Sequence, residues 1–224
     1  MLGALWVGIA CLLLTWRLWV VIPSRWRQKL ARQREQLPEK TRDRSRPERS
    51  VSTLVVLGSV GESSLMLKLT SHLSPQTYLP LWYVVASTDH TSADRIPKEG
   101  LRSGRCRVCT IPRSREVGQS YVTSVYTTLF AILHAAWMVV RIRPDLVLVN
   151  GPGTCIPVCF AAFALRFLGL GSSCSRTVFC ESFCRVKSLS LTGRIMYLLA
   201  DRFVVHWPEL LLQYPRAEYL GQLV

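Results

Sequence analysis

Three short segments of this 224-residue chain combine glycine, hydroxyl and charged residues in ways that suit phosphate and sugar chemistry. The first comprises Gly58, Ser59, Val60, Gly61, Glu62, Ser63 and Ser64. Its glycines admit close backbone approach, and Ser63 or Ser64 can cap a helix or donate to an anion. The second is Asn150, Gly151, Pro152, Gly153 and Thr154, where two glycines leave room for a ligand beside an amide. The third runs from Glu181 to Ser190 and places one carboxylate near Arg185 and Lys187. A further polar cluster, Arg113, Ser114, Arg115 and Glu116, offers guanidinium groups of the kind that chelate pyrophosphate oxygens. Each segment also has a plainer reading, as a tight turn or a solvated loop with local ion pairs.

Other chemistries lack their spacing. The first segment matches neither the dinucleotide fingerprint G-x-G-x-x-G nor the P-loop G-x-x-x-x-G-K-[ST]. Cys106 and Cys109 form a lone C-x-x-C without a second pair, which argues against structural zinc. His72, His90, His134 and His206 have no metal spacing and no G-x-S-x-G nearby, so all four read as structural.

The elements that must carry these segments alternate between strand and helix. A β-branched run at 52–57 leads into the first glycine segment and a helical pattern at 63–73. Strands fit 81–86 and 107–111, separated by an irregular polar stretch, and a loop at 112–119 precedes a helix over 120–140. A buried-type strand at 145–149 meets the second glycine segment and a helix over 156–168 that is apolar on almost every side. Strand 177–180, helix 190–199, strand 202–206 and a short strand near Tyr219 complete the order. This alternation predicts an α/β, mostly parallel sheet with helices on both faces. In such a sheet ligands collect at the carboxyl ends of the strands, where all three segments fall.

Composition adds an address. Residues 1–22 are apolar apart from Thr15, Arg17 and small residues, long enough to cross a bilayer core of about 30 Å as one helix. No lysine or arginine precedes that run, and five basic residues follow between Arg25 and Arg34, which by the positive-inside rule predicts a cytosolic C-terminal body. Residues 23–50 read as a basic juxtamembrane linker: ten of the chain's 28 Lys and Arg fall there, with few large apolar residues. The formal net charge of +14 therefore points to an anionic leaflet and not to nucleic acid, for which no recognition motif is present. Residues 51–224 are enough for one domain. In a reducing compartment the eight cysteines read as ordinary buried thiols.

Four strings together resemble one family: Ile111-Pro-Arg-Ser-Arg-Glu-Val117, Arg143-Pro-Asp-Leu-Val-Leu-Val-Asn-Gly-Pro-Gly-Thr-Cys155, Glu181-Ser-Phe-Cys-Arg-Val186 and Tyr219-Leu-Gly-Gln-Leu-Val224. They are similar to the asparagine-linked glycosylation protein 14 family, the membrane subunit of the UDP-N-acetylglucosamine transferase of dolichol-linked oligosaccharide synthesis. The resemblance implies a Rossmann-like domain, the N-terminal, acceptor-side half of a split GT-B glycosyltransferase. It implies transfer of N-acetylglucosamine from UDP-N-acetylglucosamine to N-acetylglucosamine-diphosphate-dolichol at the cytosolic face of the endoplasmic reticulum, with no metal or other cofactor. A soluble donor-binding subunit of the asparagine-linked glycosylation protein 13 type is the implied partner, and this chain alone is not expected to be active.

Carried onto this sequence, the implied cleft is lined by Gly58, Ser59, Gly61, Ser63, Arg113, Arg115, Asn150, Gly151, Gly153, Thr154, Glu181 and Arg185. One departure is visible. Where the family reads Gly-Ser-Gly-Gly-His-Thr, this chain reads Gly58-Ser-Val-Gly-Glu-Ser63, so Glu62 stands where the family has histidine and becomes the candidate proton acceptor. Two rivals remain: a membrane scaffold that only docks the partner, and a nucleotide-dependent oxidoreductase, which the missing G-x-G-x-x-G opposes.

Overall fold

The structure is a computed structural model, and it describes residue 15 and residues 50–58, 60–112, 121–151, 153–169 and 175–221. The expected anchor at 1–22 and linker at 23–50 therefore fall outside the described residues apart from Thr15, which is helical, and Ser50.

Seven strands, β1 (Thr53–Val56), β2 (Leu81–Ala86), β3 (Cys106–Ile111), β4 (Leu146–Asn150), β5 (Arg176–Cys180), β6 (Arg202–Val205) and β7 (Glu218–Tyr219), form one sheet in the order β3-β2-β1-β4-β5-β6-β7. Every neighbouring pair is parallel. Parallel strands are covered on both faces, which is why β1 and β4 are unbroken apolar runs and not alternating ones. The chain moves outward from β1 to β3, returns to the centre and moves outward again from β4 to β7. The reversal lies between β1 and β4, and it opens a crevice at their carboxyl ends.

Helix α1 (Val60–Ser71) covers one face, joined by two short helices, α2 (His90–Asp94) and α3 (Lys98–Arg102). These two occupy the stretch expected to be irregular; Asp89 caps α2 by accepting from the Ser92 N–H at 3.0 Å. The core on this side joins Val55, Leu57, Tyr83, Val85 and Leu148 to Leu65 and Met66 of α1. The opposite face carries α4 (Tyr121–Ile142), α5 (Cys155–Leu168) and α6 (Leu191–Leu199), over Leu54, Val56, Val84, Val147, Val149, Phe179 and Phe203. Phe179 and Phe203 stack at 5.1 Å with no exposed surface. A one-turn helix, α7 (Leu210–Gln213), leads to β7.

Polar contacts fix the register where packing alone would not. Asp145, just ahead of β4, accepts from the Ser52 N–H at 3.1 Å and aligns the start of β1. Arg143 stops α4 in the left-handed region at φ 48°, directly before Pro144, which cannot continue a helix. Asp201 joins Arg166 of α5 at 2.7 Å and accepts from the Thr177 N–H at 2.8 Å, tying helix to sheet. Arg202 donates twice to Glu218 Oε2 and fastens the edge strand. Arg216 is buried over the Tyr197 ring and donates to the Leu198 and Ala200 carbonyls that end α6.

The cysteines divide. Cys106, Cys155, Cys159 and Cys180 are buried, but Cys109 is half-buried and Cys184 is exposed, because it lies on the loop after β5. Burial pushes the Cys180 thiol up to about 12, and the hydrogen bond with Cys159, together with burial, pushes the Cys155 thiol up as well.

Candidate functional site

The crevice between β1 and β4 is where the sequence-expected residues meet. Gly58 ends the chain's exit from β1, and α1 starts two residues later, bringing Gly61 and Glu62 into its first turn. On the other side β4 ends at Asn150, and α5 begins at Cys155 after Gly151, Gly153 and Thr154. Two long helices thus present their N-termini to one gap, and each terminus carries unsatisfied backbone N–H groups. A Cβ at Gly61 or at Gly153 would meet no atom within 4 Å, so both helix entrances border open space.

Glu62 and Gly151 bridge the crevice. Gly151 adopts φ 67°, a region suited to glycine, and a Cβ there would collide with the Glu62 carboxylate. The carboxylate is solvent-exposed and sits over the β4 turn. Asn150 is only 1% exposed; its Nδ2 makes a long 3.5 Å contact to the Glu62 carbonyl, and its Oδ1 has no hydrogen-bond partner among the described residues. An unsatisfied buried acceptor costs about 1–3 kcal/mol, and a ligand hydroxyl or amide at this place would remove that cost.

Other expected residues turn inward. Ser63 is fully buried: its hydroxyl donates to the Gly58 carbonyl at 2.8 Å and lies 2.8 Å from the Ser92 hydroxyl, which in turn reaches Asp89 at 2.6 Å. This chain of hydroxyls locks the ends of β1 and β2 together beneath α1. Ser64 accepts from Arg95 at 2.7 Å. The helix begins at Val60, three residues before the expected start, so neither serine is its cap.

Glu181, the residue after β5, has no exposed surface. Its carboxylate accepts from the Ser182 N–H at 3.0 Å, the Ser190 N–H at 3.2 Å and the Ser190 hydroxyl at 2.9 Å, and it packs against Gly193 in the first turn of α6. The same Ser190 caps α6 by accepting from the Gly193 N–H at 2.8 Å. Glu181 therefore closes the 181–190 loop at its root, while Arg185 and Lys187 are carried outward on its exposed crown. Thr154 is buried at the entrance to α5 and makes no side-chain cap. Ser59, Arg113 and Arg115 lie outside the described residues.

Sequence reasoning set His206 aside. It directly follows β6 at the same carboxyl edge, is 4% exposed, packs against the Phe183 ring at 5.7 Å and leaves Nε2 without a partner among the described residues. Burial holds its pKa below the ordinary 6.5. Trp207 donates to the Phe183 carbonyl at 2.7 Å, so the crown is pinned to the end of β6. The signal for His206 was positional alone, since a histidine ending a parallel strand lies on the ligand edge. Asp89 and Ser92 were also missed, although Asp-x-x-Ser is a helix-start pattern.

Comparison with known proteins agrees with this architecture. In the crystal structure of Acinetobacter baumannii MurG a region superposes with a TM-score of 0.50 at 14% identity; the match covers 76% of this chain and 44% of that one, a likeness of fold to less than half of that chain. The UDP-N-acetylglucosamine transferase subunit ALG14 of Rattus norvegicus is 43% identical over 187 residues, 80% of this chain and 85% of the relative, and that of Homo sapiens matches equally. The Yarrowia lipolytica subunit is 40% identical over 175 residues, covering 76% of this chain and 80% of its own. The family described as "Oligosaccharide biosynthesis protein Alg14 like" matches residues 53–223, from the first strand through the glycine crevice to the C-terminal edge, and the chain belongs to that family.

Proposed function

We propose that this chain is the membrane-anchored, acceptor-side subunit of a heteromeric glycosyltransferase. The complex adds the second N-acetylglucosamine, from UDP-N-acetylglucosamine, to N-acetylglucosamine-diphosphate-dolichol. The chain recruits a soluble donor-binding subunit to the cytosolic face of the endoplasmic reticulum, held by residues 1–22 and the basic linker 23–50. The observation that carries this reading is the crevice between α1 and α5 in a chain of the Alg14-like family, with Glu62 over Gly151 and a buried Asn150 acceptor without a partner among the described residues.

In this proposal the acceptor hydroxyl enters beside Glu62. The carboxylate takes its proton as the oxygen attacks the anomeric carbon of the donor sugar, and UDP leaves. Asn150 orients the acceptor by accepting from its hydroxyl or amide. The N–H groups opening α1 and α5 face the diphosphate, where helix N-termini favour negative charge. Arg113, Arg115 and Arg185 supply further cations, and Ser59 a donor.

The test is a transfer assay with the full chain, the soluble partner, UDP-N-acetylglucosamine and the lipid diphosphate acceptor. Glu62→Ala should lower kcat by about 10²-fold or more while partner binding persists. Unchanged turnover would remove Glu62 from the chemistry. The inward engagement of Ser63 and Glu181 favours a second reading, a scaffold that contributes no reacting group. That reading wins if substitutions at Glu62, Asn150 and Arg185 all spare transfer while loss of partner docking abolishes it.

A further inference from the structure

Helix α4 is rich in apolar residues on more than one side, yet among the described residues only one of its faces is covered. Ala131, Ala135, Met138 and Val139 recur at core spacing and are buried against the sheet and α5. On the outer side Tyr126, Leu129, Phe130, Leu133, Trp137 and Val140 are each between 44% and 74% exposed. They also recur at helical spacing, so they form a continuous stripe and not scattered contacts. A single exposed leucine needs no explanation, but a contiguous aromatic and aliphatic patch marks an interaction surface.

Charge identifies the occupant. Helix α4 contains no acidic residue. Its basic residue, Arg141, sits in the last turn with the guanidinium 5.6 Å from the centre of the Trp137 ring, and Arg143 is exposed just beyond the helix end. Cations stacked on or flanking tryptophan at one end of an apolar stripe suit the headgroup boundary of an anionic bilayer, where the ring and the arginine stem are apolar and the guanidinium meets phosphate. The formal net charge of +14 adds long-range attraction to such a surface. Among the described residues no helix is long and apolar enough to cross a membrane, so α4 would lie along the surface instead of through it.

We propose that the outer face of α4 docks on an anionic lipid surface, with its apolar stripe in the acyl boundary and Arg141 and Arg143 at the phosphates. This goes beyond the transferase reading, and neither the reaction nor insertion of residues 1–22 enters it. Because α4 starts at the carboxyl edge of the sheet and runs back antiparallel to the strands, this contact sets the height and tilt of the glycine crevice above the surface.

The test uses the full chain reconstituted in phosphatidylcholine vesicles, with or without phosphatidylserine, containing a phosphatidylcholine with a photoreactive acyl chain. After illumination, lipid adducts are mapped by mass spectrometry. Adducts within 126–140 are expected, more of them with phosphatidylserine, whether or not residues 1–22 are also labelled. Phe130→Ser/Leu133→Ser/Trp137→Ser should lower them about tenfold, with any adducts at 1–22 unchanged. The thermal midpoint of that variant reports whether it folds. As a second variant, Arg141→Glu should weaken the dependence of the 126–140 adducts on phosphatidylserine. Adducts at background over 126–140, or equal in wild type and a folded triple variant, would overturn the proposal. So would cross-links from a photoreactive residue in place of Leu133 that join the stripe to the soluble partner, added to the vesicles, or to a second copy instead of lipid.

Discussion

The Glu62 carboxylate lies against Gly151, across the gap where the strand order reverses. A residue of the first helical turn and a residue of the fourth strand's exit loop, 89 positions apart in sequence, thus form one wall of the crevice. The contact exists because Gly151 has no Cβ and holds a φ of 67°. Gly151→Ala should therefore lose about 1–2 kcal/mol from backbone strain and also push Glu62 aside. We expect a lower urea midpoint together with at least a tenfold drop in transfer, because displacement of a reacting group by an ångström is costly. An alanine variant with full stability and turnover would mean that the two residues do not share a site.

Asn150 offers the opposite signature. Its Oδ1 is buried without a partner among the described residues, so the side chain contributes little to folding while being placed to accept from a ligand. The nearly isosteric Asn150→Leu should leave stability within about 1 kcal/mol of wild type or raise it, yet cut kcat/KM by about tenfold or more. Denaturant titration and the transfer assay, run on the same preparation, separate the two effects. Parallel losses in both would assign Asn150 to packing.

Glu181 should behave in reverse. Removing a fully buried carboxylate that accepts three hydrogen bonds leaves two N–H groups and a hydroxyl unpaired, so Glu181→Ala should cost about 2–3 kcal/mol. Glu181→Gln keeps an acceptor and should cost about half as much. Hydrogen exchange should rise first in the 181–190 loop and the opening turn of α6. A stable Glu181→Gln chain devoid of transfer would instead put this carboxylate in the reaction.

His206 predicts an acid-sensitive fold. Its pKa in the folded chain is held below 6.5 by burial, so the unfolded chain binds the proton more readily. Stability from this residue is present in full above the ordinary value and declines as pH falls from about 6.5 toward the lowered folded value. His206→Gln should flatten that part of the acid limb, read as thermal midpoints at successive pH values from 7.5 down. An unchanged slope would show that His206 already exchanges protons freely in the folded state.

Much of this architecture is legible in the sequence for a local reason. Apolar runs such as 146–149, closed by Asn150 and Gly151, can hardly be anything but buried parallel strands with a turn at the carboxyl end. The glycine segments therefore pointed to the right edge of the sheet, and the motif strings pointed to the right family. The helical start at Val60, the two short helices after β2 and the exposed Cys184 were not legible, because each depends on partners distant in the chain. Ser63 illustrates this: next to Glu62 it reads as a donor for a ligand, but Ser92 and the Gly58 carbonyl claim its hydroxyl.

The amino-acid order by itself determined the alternation of strands and helices, the parallel sheet, the family, and the place of Gly58, Glu62, Asn150 and Gly151 at the carboxyl edge of the sheet, since strand ends and turn glycines are set by neighbours in sequence. Only the tertiary structure decided which polar groups face outward. Glu181 and Ser63 were drawn in because buried backbone N–H and C=O groups at loop roots must be paired, whereas Asn150 kept an acceptor open. It likewise decided that α4, rich in apolar residues, buries its alanine face and leaves its aromatic face outside, because a helix lying on a sheet presents only one flank to it.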